Sequence, residues 1–238
     1  MCVARARACK ASAQGKEKRA VAQIFPRNID TILRLGAVLV GPLALMGAVG
    51  GVWYFFSPKF TDVGYQPEQP VPFSHQPHAG ELGLDCRYCH NHVEQSPHAN
   101  VPSTQTCMNC HGVVATESAQ LLPVRESWAT GVPVEWVKIH HIPDYAQFSH
   151  AAHVNVGVGC ESCHGRVDQM VVVSQVEPLS MGWCLECHRN PEEHLRDPSL
   201  VTQMGYLDEM TEADIAANRE RIEQEGIKPP QNCSACHY

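Results

Sequence analysis

Charged side chains make up only 18% of this 238-residue chain, and aromatic ones 7%. No run alternates polar and apolar residues, so no strand is predicted. Positive charge is short where a fold could form: residues 35–238 hold ten Lys or Arg against twenty-three Asp or Glu, a net of −13. That balance argues against nucleic acid as a partner, because a phosphate backbone would be repelled. Against these shortages stand twelve cysteines and fourteen histidines. Such usage points to ligation of a metal or cofactor rather than to an ordinary apolar core.

The missing positive charge sits at the other end. Residues 1–34 carry Arg5, Arg7, Lys10, Lys16, Lys18, Arg19, Arg27 and Arg34 against Glu17 and Asp30, a net of +6. From Leu35 to Pro58 no charged residue occurs, and a helix of about 20 residues crosses the roughly 30 Å hydrocarbon layer. Trp53, Tyr54, Phe55 and Phe56 close the run as an interfacial belt. Residues 33–57 therefore read as a single transmembrane helix and 1–32 as a basic cytoplasmic leader, with everything after Pro58 outside an inner membrane by the positive-inside rule. A cleaved signal peptide is the competing reading, but the leader is long for one and no Ala-x-Ala site follows the apolar run. Gly47 and Gly51 form a G-x-x-x-G pair suited to helix packing. Cys2 and Cys9, on the reducing side, read as free thiols.

Prolines at 58, 67, 70 and 72 mark residues 58–72 as an extended tether. A repeat follows. Phe73-Ser74-His75-Gln76-Pro77-His78 recurs 75 residues later as Phe148-Ser149-His150-Ala151-Ala152-His153. In each copy a Cys-x-x-Cys-His follows ten or eleven residues after the first histidine, with a second such motif just over twenty residues on. This is a duplicated two-motif module, 73–112 and 148–190, with a fifth motif in 209–238. One helix is well marked between these landmarks: Thr211 as N-cap with Asp214 three residues on, a run to Glu225, then Gly226 and Pro229 as stop signals.

The five motifs end in His90, His111, His164, His188 and His237. Their cysteine pairs are Cys86/Cys89, Cys107/Cys110, Cys160/Cys163, Cys184/Cys187 and Cys233/Cys236. Cysteines three apart on a helical turn share one side and can each form a thioether to a haem vinyl group, while the adjacent histidine reaches the iron. Zinc ribbons and dithiol proteins also use Cys-x-x-Cys, but neither needs a histidine next in line five times out of five. The sequence thus predicts five covalently bound haem c groups in a mostly irregular and α, haem-cored multihaem cytochrome c domain spanning 73–238, behind one N-terminal transmembrane helix.

Nine histidines remain for the opposite faces of the irons: His75, His78, His92, His98, His140, His141, His150, His153 and His194. The Phe-Ser-His-x-x-His segment resembles the one that opens class III, cytochrome c7-like haem modules. The resemblance implies that the first histidine ligates the haem of the following motif and the second a neighbouring haem. His75 then pairs with the haem at His90, and His78 with a neighbour, the haem at His111 being the candidate. Likewise His150 pairs with the haem at His164, and His153 with a neighbour, the candidate being that at His188. For the fifth, His140 in the Trp136–His140 segment is taken ahead of His141. Met170, Met181 and Met204 are the alternatives to a histidine, and a His/Met haem would have a raised potential. Six-coordinate iron has no open position, which favours electron transfer over catalysis, so no catalytic residue is expected.

Longer strings narrow the resemblance. The anchor, Val71-Pro72-Phe73-Ser74-His75, Cys86-Arg87-Tyr88-Cys89-His90, the run from Val101 to His111 and the run from Leu179 to Arg189 resemble the pentahaem subunit of alternative complex III, over residues 33 to the C-terminus. That resemblance implies an electron-transfer subunit of a membrane quinol:electron-acceptor oxidoreductase. Its implied partners are a polytopic quinol-binding subunit, a large peripheral iron-sulfur subunit and a monohaem cytochrome c. Electrons would pass toward a periplasmic cytochrome c or copper-protein acceptor. The alternative is an anchored multihaem quinol dehydrogenase that oxidises quinol directly.

Overall fold

The computed structural model describes residues 24–237. Cys2, Cys9 and most of the basic leader lie outside the described residues. The chain divides into two compact units, Met1–Gly51 and Val52–Tyr238.

Helix α1, Ile29–Phe55, is 27 residues long with no buried residue. Its mean hydropathy reaches 2.0 over 18 residues, so it is long and apolar enough to cross a membrane. The helix opens earlier than the charge-free run because Asp30 sits in its first turn and pairs with Arg34 at 2.9 Å. An acid there meets the positive end of the helix dipole. It stops at Phe55 because Pro58 follows closely and disfavours helical backbone just before it.

In the second unit, α2 (Pro58–Thr61) turns the chain and stacks Phe60 on Phe55, centroids 4.8 Å apart and edge-on. The proline-rich segment expected to be a tether is extended, but it is fastened down. Gly64 N–H donates to Gln175 O at 2.7 Å, Gln175 N–H to Tyr65 O at 3.0 Å, and Gln66 Nε2 to Val172 O at 2.9 Å. Val71, at its end, is buried. Backbone donors of the 172–175 stretch have no strand partner of their own, so the tether supplies one.

Short helices then carry the motifs: α3 (Cys86–Cys89), α4 (Thr104–His111), α7 (Glu161–His164), α8 (Met181–Arg189) and α11 (Cys233–Cys236). Between them lie α5 (Leu122–Thr130), α6 (His150–Asn155), α9 (Tyr206–Glu209) and α10 (Glu212–Glu225). Among the described residues there is no strand, only isolated bridges pairing Ala146 with His237 and Val158 with Leu195.

Helix α10 forms as its sequence predicts. Thr211 and Asp214 make a reciprocal capping box, and Gly226 closes the helix in the left-handed region at φ 65°. Its inner face docks through polar groups: Asn218 Nδ2 donates to Leu195 O at 2.6 Å, and Arg221 donates to Arg196 O and Val156 O, each at 2.6 Å.

Only six apolar side chains are buried among the described residues: Val71, Val93, Val124, Val154, Leu195 and Val201. A domain of this length normally buries far more, so the chain by itself lacks the core that would hold its loops. Its most buried polar feature is an ion pair. Arg196 Nη2 lies 2.9 Å from Glu161 Oε1 with both side chains almost fully buried, at an angle too oblique for a hydrogen bond. Glu161 accepts instead from the Gly205 and Leu207 N–H groups at 2.5 and 2.9 Å, while Arg196 stacks 4.4 Å over the Tyr206 ring.

Candidate functional site

Each motif places its two cysteines on one side of a short helical turn. Asp85 caps α3 by accepting from Arg87 N–H at 2.8 Å, and Ser180 caps α8 by accepting from Trp183 N–H at 3.3 Å. All ten motif cysteines are free of disulfides. Burial pushes the Cys163 thiol up to about 12 and the Cys187 thiol up to about 11. Burial also raises Cys89, Cys107 and Cys184. The Cys86 and Cys160 thiols act on each other, the first shifted down and the second up. Thiols held neutral in this way are poor nucleophiles.

The motif histidines are oriented by a shared device. Nδ1 of His90 donates to Asn100 O at 2.6 Å, that of His111 to Val114 O at 3.0 Å, that of His188 to Pro230 O at 2.6 Å and that of His237 to Tyr145 O at 3.3 Å. A ring whose Nδ1 carries the proton presents Nε2 as its lone-pair donor, which is how a metal-ligating imidazole is fixed. Three histidines of the repeated segments do the same: His78 to Ser74 O at 2.8 Å, His153 to Ser149 O at 2.7 Å and His150 to Pro97 O at 2.8 Å.

The duplication is visible as geometry. Phe73 lies 4.9 Å from His75 at 85° and 4.6 Å from His78 at 32°; Phe148 lies 4.8 Å from His150 at 85° and 4.7 Å from His153 at 27°. The backbones differ. The first copy is a π-helical turn, Gln76–Glu81, whereas the second is the regular helix α6. Pro77, where the second copy has Ala152, sits in the first turn of the wider coil and fixes its φ there.

Opposed rings show what could lie between them. His78 and His111 have centroids 6.2 Å apart, His150 and His164 6.3 Å, and His153 and His188 6.1 Å. With metal–nitrogen bonds of about 2 Å, two imidazoles on opposite faces of one iron have centroids roughly 6 Å apart. A cavity of about 200 Å³ opens beside the first of these pairs, lined by Phe73, Pro77, His78, His111 and Leu121. These residues fit a haem group held by thioethers on one edge and an imidazole on each face.

Two further placements concern His140 and His75. Nε2 of His140 lies 3.2 Å from Nδ1 of His164, with ring centroids 4.4 Å apart, too close for an iron between these two rings. The segment before it is held along the tether, Gln69 bonding Val137 through both N–H and C=O at 3.0 and 2.9 Å, and this sets His140 beside the third motif. His75 lies near His90, its Nδ1 buried without a partner. Burial, then the neighbouring His90 and His78, hold His75 down to about 4. Burial, then His140, His150, His90 and His75, hold His164 down to about 3. Desolvation likewise lowers His140, His150 and His153. Neutral imidazole is the ligand-competent form.

Comparison with known proteins gives two matches. Residues 146–238 match the family described as cytochrome c7 and related cytochrome c. Over that stretch the chain is cytochrome c7-like, and the described residues are helical without a strand. The chain is also similar to the menaquinone reductase multiheme cytochrome c subunit of Nitratidesulfovibrio vulgaris, 35% identical over 121 residues. That match takes in 50% of this chain and 55% of the relative, so the chain spans about half the length of the protein it resembles. The family that residues 146–238 match implies covalently bound haem c.

Proposed function

We propose that this chain is the electron-transfer subunit of a membrane quinone-linked oxidoreductase, carrying five haem c groups and anchored by α1 with its N-terminus in the cytoplasm. The observation that carries the reading is the set of opposed imidazoles at 6.1–6.3 Å. Such pairs leave iron no open position, so the sites suit conduction rather than chemistry on a bound substrate. Haem c supplies one-electron exchange when bound. The chain's part is to hold each group by its Cys pair, to fix each Nε2 through a partner on Nδ1, and to keep the ligands neutral.

In finer detail we assign His78, His150 and His153 as opposite ligands to His111, His164 and His188, and His75 as that to His90. His140 is engaged by His164 and is not carried forward for the fifth site. The long strings shared with the pentahaem subunit of alternative complex III support a quinol-oxidising complex with a polytopic quinol-binding subunit, a peripheral iron-sulfur subunit and a monohaem cytochrome c. A second reading follows from the Nitratidesulfovibrio vulgaris relative, whose name is menaquinone reductase subunit: electrons would then run from the haems toward quinone.

One experiment separates these. The full complex is purified from native membranes, and its haems are followed after adding a menaquinol analogue, then after pre-reduction and adding menaquinone. Reduction by quinol with transfer to a soluble acceptor supports quinol oxidation; reoxidation by quinone supports the reverse. Quinol oxidation by this chain alone, without partners, would establish the direct dehydrogenase instead.

A further inference from the structure

Motif order along a chain need not be motif order in space, and here the bridging contacts are specific enough to give the spatial order. Asn109 Nδ2, inside the second motif, donates to Tyr88 Oη, inside the first, at 3.1 Å. Among the described residues this is the one side-chain hydrogen bond that leaves the second motif for another motif. The first motif is tied to the third. Asp85, capping α3, accepts from Thr202 Oγ1 at 3.0 Å, and the neighbouring Val201 O accepts from Cys160 N–H at 2.9 Å.

The third and fourth motifs share one helix of ligands: α6 sets His150 opposite His164 and His153 opposite His188. The fourth motif meets the lead-in to the fifth, where His188 Nδ1 donates to Pro230 O at 2.6 Å and Gln231 Nε2 donates to His188 O at 3.3 Å. The fifth then turns to the inter-module linker alone, Gln147 N–H donating to Cys236 O at 2.7 Å. Exposure follows the same line. Of the ten motif cysteines, Cys110 and Cys233 are exposed and the other eight are partly covered.

We infer that the five haem sites stand in single file in the order second, first, third, fourth, fifth, so that the motifs ending in His111 and His237 are the two ends. The inference rests on the five-haem reading above. Its consequence is that electrons enter and leave at these two motifs. The partner surfaces therefore lie around Cys107–His111 and Cys233–His237, and the third motif, with His164 half-buried at its centre, is reached only through the others.

The test uses the intact holoprotein. Anomalous scattering at the iron edge locates the irons, each assigned by the motif histidine beside it. The expected map gives the irons at His111 and His237 one near neighbour each, those at His90 and His188 respectively. An iron at His111 closest to that at His164, or an iron at His90 lying at an end, overturns the order. Haem counting by mass spectrometry on the same sample reports separately on the five-haem reading. In solution, a Cys233→Ser, Cys236→Ser protein should titrate with four haems and a shift in one remaining midpoint potential. Shifts in two or more would place the fifth site inside the array and overturn the proposal.

Discussion

His164 presents Nδ1 to Nε2 of His140 at 3.2 Å, where four other motif histidines use a backbone carbonyl. On the reading in which His164 Nε2 binds iron, its Nδ1 would carry the proton and His140 would accept. A hydrogen bond of this kind raises the basicity of the ligand and favours the oxidised metal. His140→Ala is therefore expected to raise one midpoint potential and leave the haem count unchanged. A hydrogen bond of about 1 kcal/mol corresponds to some tens of millivolts, since ~59 mV is tenfold for one electron. A spectropotentiometric titration showing loss of a haem instead would make His140 a ligand.

The six buried apolar side chains make attachment a folding event. Cys160→Ser with Cys163→Ser removes the thioethers of the most enclosed motif, and the holoprotein is expected not to accumulate, as small domains fail without their metal. The same pair of changes at Cys233 and Cys236 strips an exposed terminal turn and should leave a protease-resistant core. Haem-stained gels after limited proteolysis distinguish the two. Equal loss from both would mean that the fifth motif is as central to the fold as the third.

How much of this was legible beforehand depends on whether the signal is local. The five motifs, the repeat and the Thr211–Asp214 capping box announce themselves because each is a short string with fixed spacing, and α10 runs from Glu212 to Glu225 as read. Glu161 gives no such signal. It occupies a variable position inside a motif, and its partner Arg196 is distant in sequence. Gly64 and Gln66 likewise gave no hint that the proline-rich segment is pinned to residues 172–175, since that pairing depends on what the other stretch lacks. That His140 lies against His164 was not readable either, because adjacency in space is not carried by position in the chain.

Glu161 and Arg196 make the second stability prediction. Removing one member leaves the other charge buried and uncompensated, which typically costs about 3–5 kcal/mol. Glu161→Ala also strips the Gly205 and Leu207 N–H groups of their acceptor. The expected result is a large fall in the thermal midpoint of the holoprotein. Gly159→Ala should act on the same clasp, because a Cβ there would collide with the Arg196 guanidinium. A midpoint unchanged by both would show that the pair is not integral to the fold.

The pH dependence of folding should carry a contribution from Asp85. Its hydrogen bonds from the Arg87 side chain hold its carboxyl at about 2, below the ordinary value of 3.8, with the Arg87 backbone and Thr202 adding to the effect. A carboxyl depressed in the folded state stabilises it fully above the unfolded value, and that contribution is lost as pH falls from about 4 through about 2. The side chain is 42% exposed, so solvent screens the ion pair and the effect is modest. Asp85→Asn keeps a cap for α3, because Asn is as good an N-cap as Asp, while deleting the charge. Acid unfolding of the variant, followed by near-ultraviolet and Soret dichroism, should therefore show a shallower slope between pH 4 and 2, with stability at neutral pH reduced only slightly. An identical acid limb in both proteins would assign that slope to other carboxylates.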